Sequence, residues 1–225
     1  MKKLTISQFL CAAGLAALLS ASSASATVVW DLNPDNLNAP AGSSSVTYTQ
    51  QGYTITANGY DNAGDVGTPH ELYFKNVPTI NGAVERGLGI TGPGDNELQT
   101  ANGLVNNFIQ LDLSKILPGF TNGQISVGSV QKGESFQLFG SNAQGVLGAQ
   151  IGIFGSKFDD QFVAIPGFGA FTYISVASAT GDVLPIAFRA DITAVPEMNA
   201  FLPIIGLLAV IGAVEFARRR RAIAS

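Results

Sequence analysis

The chain has 225 residues, of which 46% are hydrophobic and 12% are charged, with one cysteine and one histidine. A single cysteine excludes an internal disulfide framework, and one cysteine with one histidine cannot supply the ligands of a Cys/His zinc site. The formal net charge of −4 argues against nucleic acid as a partner, because binding to a phosphate backbone requires clustered positive charge.

The first 26 residues predict a secretory signal peptide. A basic start is followed by an apolar stretch at 9–19, and Ala24 and Ala26 flank a serine in a small-x-small cleavage signature. The apolar stretch is too short for a spanning helix, which needs about 20 residues. Cleavage after Ala26 is expected to remove Cys11 and to leave Thr27 at the start of a mature chain without cysteine.

The segment 27–194 predicts a single all-β domain, a β-sandwich of jelly-roll type. Short runs with period-two alternation or β-branched residues recur between turn signals, and no sustained helical period occurs in this segment. Gln51-Gly52 predicts a hairpin, and Asn-Gly pairs at 58, 81, 102 and 122 predict further turns. The predicted strands are 28–32, 46–49, 53–56, 71–75, 87–90, 108–113, 124–130, 135–139, 149–154, 161–165, 171–177 and 183–192.

This segment is more acidic than the chain as a whole. Six basic and fourteen acidic residues give it a net charge of −8. Such a charge keeps an exported domain soluble and disfavours binding to DNA or to anionic lipid.

Catalytic residues are not indicated by the sequence, and we predict that the protein is not an enzyme. A Ser-His-Asp triad would have to use His70, the single histidine, which we interpret as a loop or strand-edge residue. A secreted glycoside hydrolase with two carboxylates remains an alternative, although fourteen acidic residues nominate no particular pair.

Calcium and carbohydrate remain as candidate ligands. Asp61, Asp65, Asp95 and Glu97 lie in oxygen-rich turns and are weak calcium candidates. Asp and Asn favour turns without any metal, so no metal or other cofactor is predicted. Candidate sugar-binding aromatics are Trp30, Tyr48, Tyr53 and Tyr60, although alternating aromatics in strands are more typical of a core. A surface bearing Thr47, Thr49, Thr54 and Thr56 is too small for an ice-binding face.

The C-terminal 31 residues form a tripartite pattern. Val195, Pro196 and Glu197 are followed by an apolar run and then by four consecutive arginines, Arg218, Arg219, Arg220 and Arg221. A helix over 199–217 would be about 28 Å long and would just span a hydrocarbon core of ~30 Å. The arginine cluster predicts that this end stays in the cytoplasm.

This tail resembles the PEP-CTERM sorting signal of exported proteins in Gram-negative bacteria, although Met198 stands where the commonest pattern has a second proline. The resemblance implies that a membrane-embedded exosortase cuts near Val195–Glu197, and that the protein functions beside exopolysaccharide. The segments 85–90, 108–113 and 136–142 also resemble domains that accompany this signal, which implies a fold but no chemistry.

Together these features predict three parts: a signal peptide at 1–26, the β-sandwich at 27–194 and the sorting signal at 195–225. We expect an exported protein that passes through an inner-membrane intermediate to the cell surface or extracellular matrix. Its expected role is structural or binding, with exosortase as its processing partner and exopolysaccharide as a second possible partner. The alternatives are a calcium-dependent carbohydrate-binding module and the two-carboxylate hydrolase.

Overall fold

A computed structural model describes residues 26–62, 66–78, 84–92, 95–101 and 103–193, together with residues 208, 210–212 and 219. Residues Ala26–Thr193 form one compact unit, and the described residues beyond it are helical. Ala24, Asp65, the motif Val195–Glu197 and all of the terminal arginines except Arg219 lie outside the described residues. Among the described residues, no helix is long and apolar enough to cross a membrane.

The prediction of an all-β fold is confirmed. Between the strands of the described segment 103–193 lie two single 3-10 turns, Leu117–Gly119 and Ser156–Phe158. The strands are β1 (Thr27–Asp31), β2 (Ala39–Pro40), β3 (Ser45–Gln50), β4 (Tyr53–Asn62), β5 (Gly67–Pro69), β6 (Leu72–Pro78), β7 (Val84–Ile90), β8 (Leu98–Ala101), β9 (Leu104–Val105), β10 (Asn107–Asp112), β11 (Phe120–Gly128), β12 (Ser135–Ser141), β13 (Ala149–Gly155), β14 (Phe162–Ala164), β15 (Tyr173–Thr180) and β16 (Asp182–Ile192).

Within the part of the chain that the structure describes, the strands form three antiparallel sheets. A six-stranded sheet has the order β14-β11-β16-β8-β9, with β1 also paired to β16. A seven-stranded sheet has the order β13-β12-β15-β10-β4-β3, with β5 also paired to β4. A small third sheet has the order β2-β6-β7.

One hydrophobic core joins the two large sheets in a sandwich-like arrangement. Trp30 of β1 packs against Phe188 and Phe120 of the six-stranded sheet, with ring centroids 5.3 and 5.7 Å apart. Its indole Nε1 donates a hydrogen bond of 3.1 Å to the carbonyl oxygen of Tyr53 in the other sheet. The inner faces of both sheets therefore share one apolar layer, as the alternating strand pattern predicts.

A second, smaller cluster covers the outer face of the seven-stranded sheet. It contains Tyr60, Phe108, Phe139, Leu147 and Ala177, and the rings of Tyr60 and Phe108 stack at 5.1 Å. The loop 143–147 covers this cluster, and the side chain of Gln110 in β10 forms hydrogen bonds with the backbone of that loop. This face of the sheet is therefore partly covered rather than solvent-exposed throughout.

Most of the predicted strands are found, and the differences concern turns and very short strands. The Gln51-Gly52 hairpin is confirmed, since both residues have a positive φ and join β3 to β4. The prediction of turns at Asn58-Gly59 and Asn122-Gly123 is wrong, because both pairs lie inside strands. Asn122 has a positive φ at a bulge in β11, and a side chain on Gly123 would overlap the ring of Phe168. Strands β2, β5, β8 and β9 have two to four residues each, too few to show a period.

Candidate functional site

The most unusual buried group in the described chain is a lysine. Lys75 lies in the middle of β6 with its side chain 2% exposed. Three carboxylates surround its ammonium: Nζ is 2.5 Å from Oε1 of Glu97, 2.6 Å from Oδ2 of Asp95 and 3.0 Å from Oε2 of Glu85. We call these four residues the Lys75 cluster.

Strand pairing and the chain before β8 bring these groups together. Lys75 pairs with Gly87 across β6 and β7, and Glu85 stands two residues away on β7, diagonal to Lys75 on the same face. Asp95 and Glu97 approach this face just before β8. Gly89 lets them come close, because a Cβ at that position would overlap the carbonyl oxygen of Asn96.

The carboxylates of the cluster differ in their exposure. The Glu97 side chain is 1% exposed and also accepts a hydrogen bond of 3.2 Å from Oγ of Ser129, whereas the Asp95 side chain is 64% exposed. Burial raises the pKa of Glu97 to about 7, although its contacts with Lys75 act to lower it. Glu97 is thus partly protonated near neutral pH.

The protonation of Lys75 reflects two opposed effects. Burial lowers the pKa of Lys75, but its contacts with Asp95, Glu97 and Glu85 raise it by more, so that the pKa stands above its ordinary value. The cluster also affects a neighbour: the pKa of Asp182 is raised by burial and then by Asp95. Negative charge is therefore in excess around the single ammonium.

A polar cleft of about 340 Å³ adjoins the cluster, and Glu97 forms part of its lining. Its other polar lining residues include Asp61, Asn62, His70, Gln99, Asn106 and Asn107. Nδ1 of His70 lies 2.6 Å from Oδ2 of Asp61. Oδ1 of Asn62 is buried and has no hydrogen-bond partner among the described residues. The cleft therefore offers amide donors and acceptors to a polar ligand.

Among the described residues, two of the calcium candidates lie together: Asp95 and Glu97 have carboxylate oxygens within 4.8 Å of each other and of Glu85, and Asp61 is not part of this group. Asp61 is paired with His70, whereas Asp95 and Glu97 both contact Lys75, whose ammonium lies where a cation would sit. Asp65 lies outside the described residues. Asp61 and Glu97 are both cleft carboxylates, yet each already has a partner.

The sugar-binding aromatic candidates belong mainly to the packed interior. Trp30, Tyr48 and Tyr60 are buried, and Tyr53 is partly buried against Phe120. The threonines do share one face: the hydroxyl oxygens of Thr47 and Thr56 are 3.2 Å apart, and those of Thr49 and Thr54 are 3.0 Å apart.

Sequence reasoning missed Lys75 and Glu85. A usable signal was present, since Lys75 ends the predicted strand 71–75 and directly follows three apolar or aromatic residues, Leu72–Phe74. A lysine at such a position needs a carboxylate partner if the strand is buried on both faces. The three partners could not be chosen from fourteen acidic residues without the strand register.

Comparison with models of known protein families finds no match for this chain, and a search of curated proteins finds none either.

Proposed function

We propose that this chain is an exported surface protein with a structural or binding role, without catalytic activity of its own, and that exosortase processing sorts it. The observation that carries the proposal is the tail: Val195, Pro196 and Glu197, then an apolar run, then four arginines. The predicted leader at the other end supports it. The domain between these ends is β-rich and acidic, as suits a surface or matrix component.

We further interpret the sandwich-like unit as a single jelly-roll-like domain. Two large antiparallel sheets that share one core support this interpretation. Strands β6 and β7 pair with each other and with β2 in the small third sheet, and they contribute Leu72, Leu88 and Ile90 to that core.

Mass spectrometry of the protein from an exosortase-containing Gram-negative host tests the sorting proposal. The full chain is expressed there, and peptides are assigned on both sides of Val195–Glu197. We expect mature protein without residues after about Glu197, and loss of this processing in the variant Pro196→Ala/Glu197→Ala. The same host without its exosortase gene should retain the tail.

The matched control changes residues outside the motif. Thr193→Ala alters the last residue of the compact unit and should be processed like the wild type. A mature surface protein that keeps Arg218–Arg221 in the exosortase-containing host would defeat the proposal.

The polar cleft favours glycan binding as the specific binding role. Its lining of amides suits the hydroxyl groups of a sugar, and it includes Oδ1 of Asn62, a buried acceptor without a hydrogen-bond partner among the described residues. Binding of host exopolysaccharide should weaken in Gln99→Ala and Asn106→Ala, and should be unchanged in Gln150→Ala on the distant edge strand β13. Repeating the binding measurement with a calcium chelator distinguishes calcium-dependent binding from direct binding. Hydrolysis of the polysaccharide would favour the alternative of a two-carboxylate glycoside hydrolase.

A further inference from the structure

The Lys75 cluster combines an amine and a carboxyl group in one buried position. Nζ of Lys75 and Oε1 of Glu97 are 2.5 Å apart, and the two side chains are 2% and 1% exposed. Water therefore has little access to either group. The two residues come from separate segments, β6 and the chain just before β8, so that a bond between them would join positions 22 residues apart in the sequence.

We propose that Lys75 and Glu97 condense to an intramolecular amide bond within the folded domain. This would be a self-catalysed modification that needs no enzyme, metal or cofactor. The bond would cross-link β6 to the segment before β8 and close a ring that includes residues 75–97.

The surrounding groups suit each part of the reaction. Glu85, with Oε2 at 3.0 Å from Nζ, can take a proton from the ammonium and free the amine lone pair. Oε1 of Glu97 accepts hydrogen bonds from both Lys75 and Ser129, which polarises the carboxyl group towards attack. Burial, which keeps Glu97 partly protonated near neutral pH, makes Oε2 a better leaving group.

The step balances without an oxidant or a co-reactant. The Nζ lone pair attacks Cδ of Glu97, and a C–N bond forms. The C–O bond to Oε2 then breaks, and Oε2 leaves as water with its own proton and one from Nζ. The proton held by Glu85 returns to solvent. Because the carboxylates keep most of the Lys75 amine protonated, we expect the reaction to be slow and to proceed after folding.

Such a bond would serve a domain that has no other covalent cross-link available. Cys11 is the single cysteine, and it lies in the predicted leader. An amide would constrain the unfolded chain as a disulfide does, without sensitivity to reductant.

Peptide mass spectrometry of the full-length chain tests the proposal. The chain is refolded from urea, incubated at neutral pH, sampled over time, denatured and digested with trypsin. In a cross-linked chain, cleavage after Lys75 is blocked, and the fragment that ends at Arg86 is joined to fragment 87–115. We expect this branched fragment to accumulate with time, one water lighter than the sum of its parts, with fragmentation assigning the bond to Glu97.

Three variants separate the amide from a plain ion pair. Lys75→Arg keeps the positive charge but cannot form this amide, and Glu97→Ala leaves Lys75 paired with Asp95 and Glu85; neither should give the branched fragment. Lys132→Arg changes an exposed lysine and should give the wild-type result. Free cleavage after Lys75 in folded and fully incubated protein would overturn the proposal. A branched fragment that persists in Glu97→Ala, or that forms equally in a chain kept in urea, would also overturn it.

Discussion

Two buried polar centres lie in different parts of the sandwich, and they provide partners for buried polar groups in different ways. The Lys75 cluster uses charges: one ammonium and three carboxylates, with Lys75 and Glu97 almost fully sealed. The second centre is neutral. Gln110, 0% exposed, donates from Nε2 to the carbonyl oxygen of Val146 at 3.0 Å and accepts at Oε1 from the amide of Gly145 at 2.8 Å.

The difference shows what each centre can do beyond holding the fold. Gln110 satisfies the backbone of the loop 143–147 and is insensitive to pH. The Lys75 cluster has an excess of carboxylates, is expected to respond to pH because burial raises the pKa of Glu97, and brings an amine and a carboxyl group together. A neutral network therefore serves a purely structural role, whereas the charged cluster also carries potential chemistry.

Removal of the Lys75 charge is expected to have the largest effect. Lys75→Met leaves Glu97 buried beside two further carboxylates, without the compensating ammonium. We expect the free energy of unfolding in urea to fall by about 3–5 kcal/mol, the usual loss when one partner of a buried ion pair is removed. Lys132→Met, on the surface, should change it by less than about 0.5 kcal/mol. An equally small loss in both variants would show that the cluster is not a stabilising charge network.

Loss of the neutral centre should cost less and should act locally. Gln110→Leu keeps a side chain of similar length but leaves the amide of Gly145 and the carbonyl of Val146 unpaired. We expect a loss of about 1–3 kcal/mol in the free energy of unfolding. Hydrogen exchange should speed up selectively at residues 143–147. Gln150→Leu on the exposed edge strand is the control, and uniform loss of protection in Gln110→Leu would contradict a local role.

The two centres should also differ in their response to pH, which is best measured in Lys75→Arg because this variant stays ion-paired. Burial raises the pKa of Glu97 to about 7 in the folded chain, from 4.5 in the unfolded chain, so the folded state holds this proton more tightly. Its contribution to stability is full below about pH 4.5 and is lost as the pH rises through 7. We expect unfolding in urea to be easier at pH 7 than at pH 5, by on the order of 1–2 kcal/mol.

A double variant tests whether Glu97 causes this dependence of the free energy of unfolding on pH. In Lys75→Arg/Glu97→Gln, the free energy of unfolding should change less between pH 5 and pH 7, because Gln does not titrate. Some slope should remain, since burial also raises the pKa of Asp160 and Asp182. An unchanged slope in the double variant would assign the pH response to other carboxyl groups.

The same two centres show how far the sequence can predict the structure. Long strands with alternating apolar residues were predictable, because burial of one face imposes the period. The partners of Lys75 and Gln110 were not, because they depend on strand register and on loops that fold back over a sheet. The Asn-Gly pairs show the same limit: Asn122-Gly123 has turn chemistry, yet the ring of Phe168 requires a glycine inside β11.

The smallest effect is expected at an exposed hydrogen bond on the sheet that also contains Gln110. The hydroxyl oxygens of Thr49 and Thr54 are 3.0 Å apart on adjacent strands, with solvent as an alternative partner. Thr49→Val removes one hydroxyl but keeps the β-branched shape that suits a strand. We expect the free energy of unfolding in urea to change by less than about 0.5 kcal/mol.

The change in the free energy of unfolding of Thr49→Val is interpreted by comparison with that of Gln110→Leu. Both variants delete a neutral polar group from the same seven-stranded sheet, and they differ mainly in whether water can replace the lost partner. A loss above about 1 kcal/mol in Thr49→Val would mean that the hydrogen bond itself, rather than its burial, determines the energy. A change near zero, beside a clear loss at Gln110, would attribute the cost to the buried groups left unpaired under the loop 143–147.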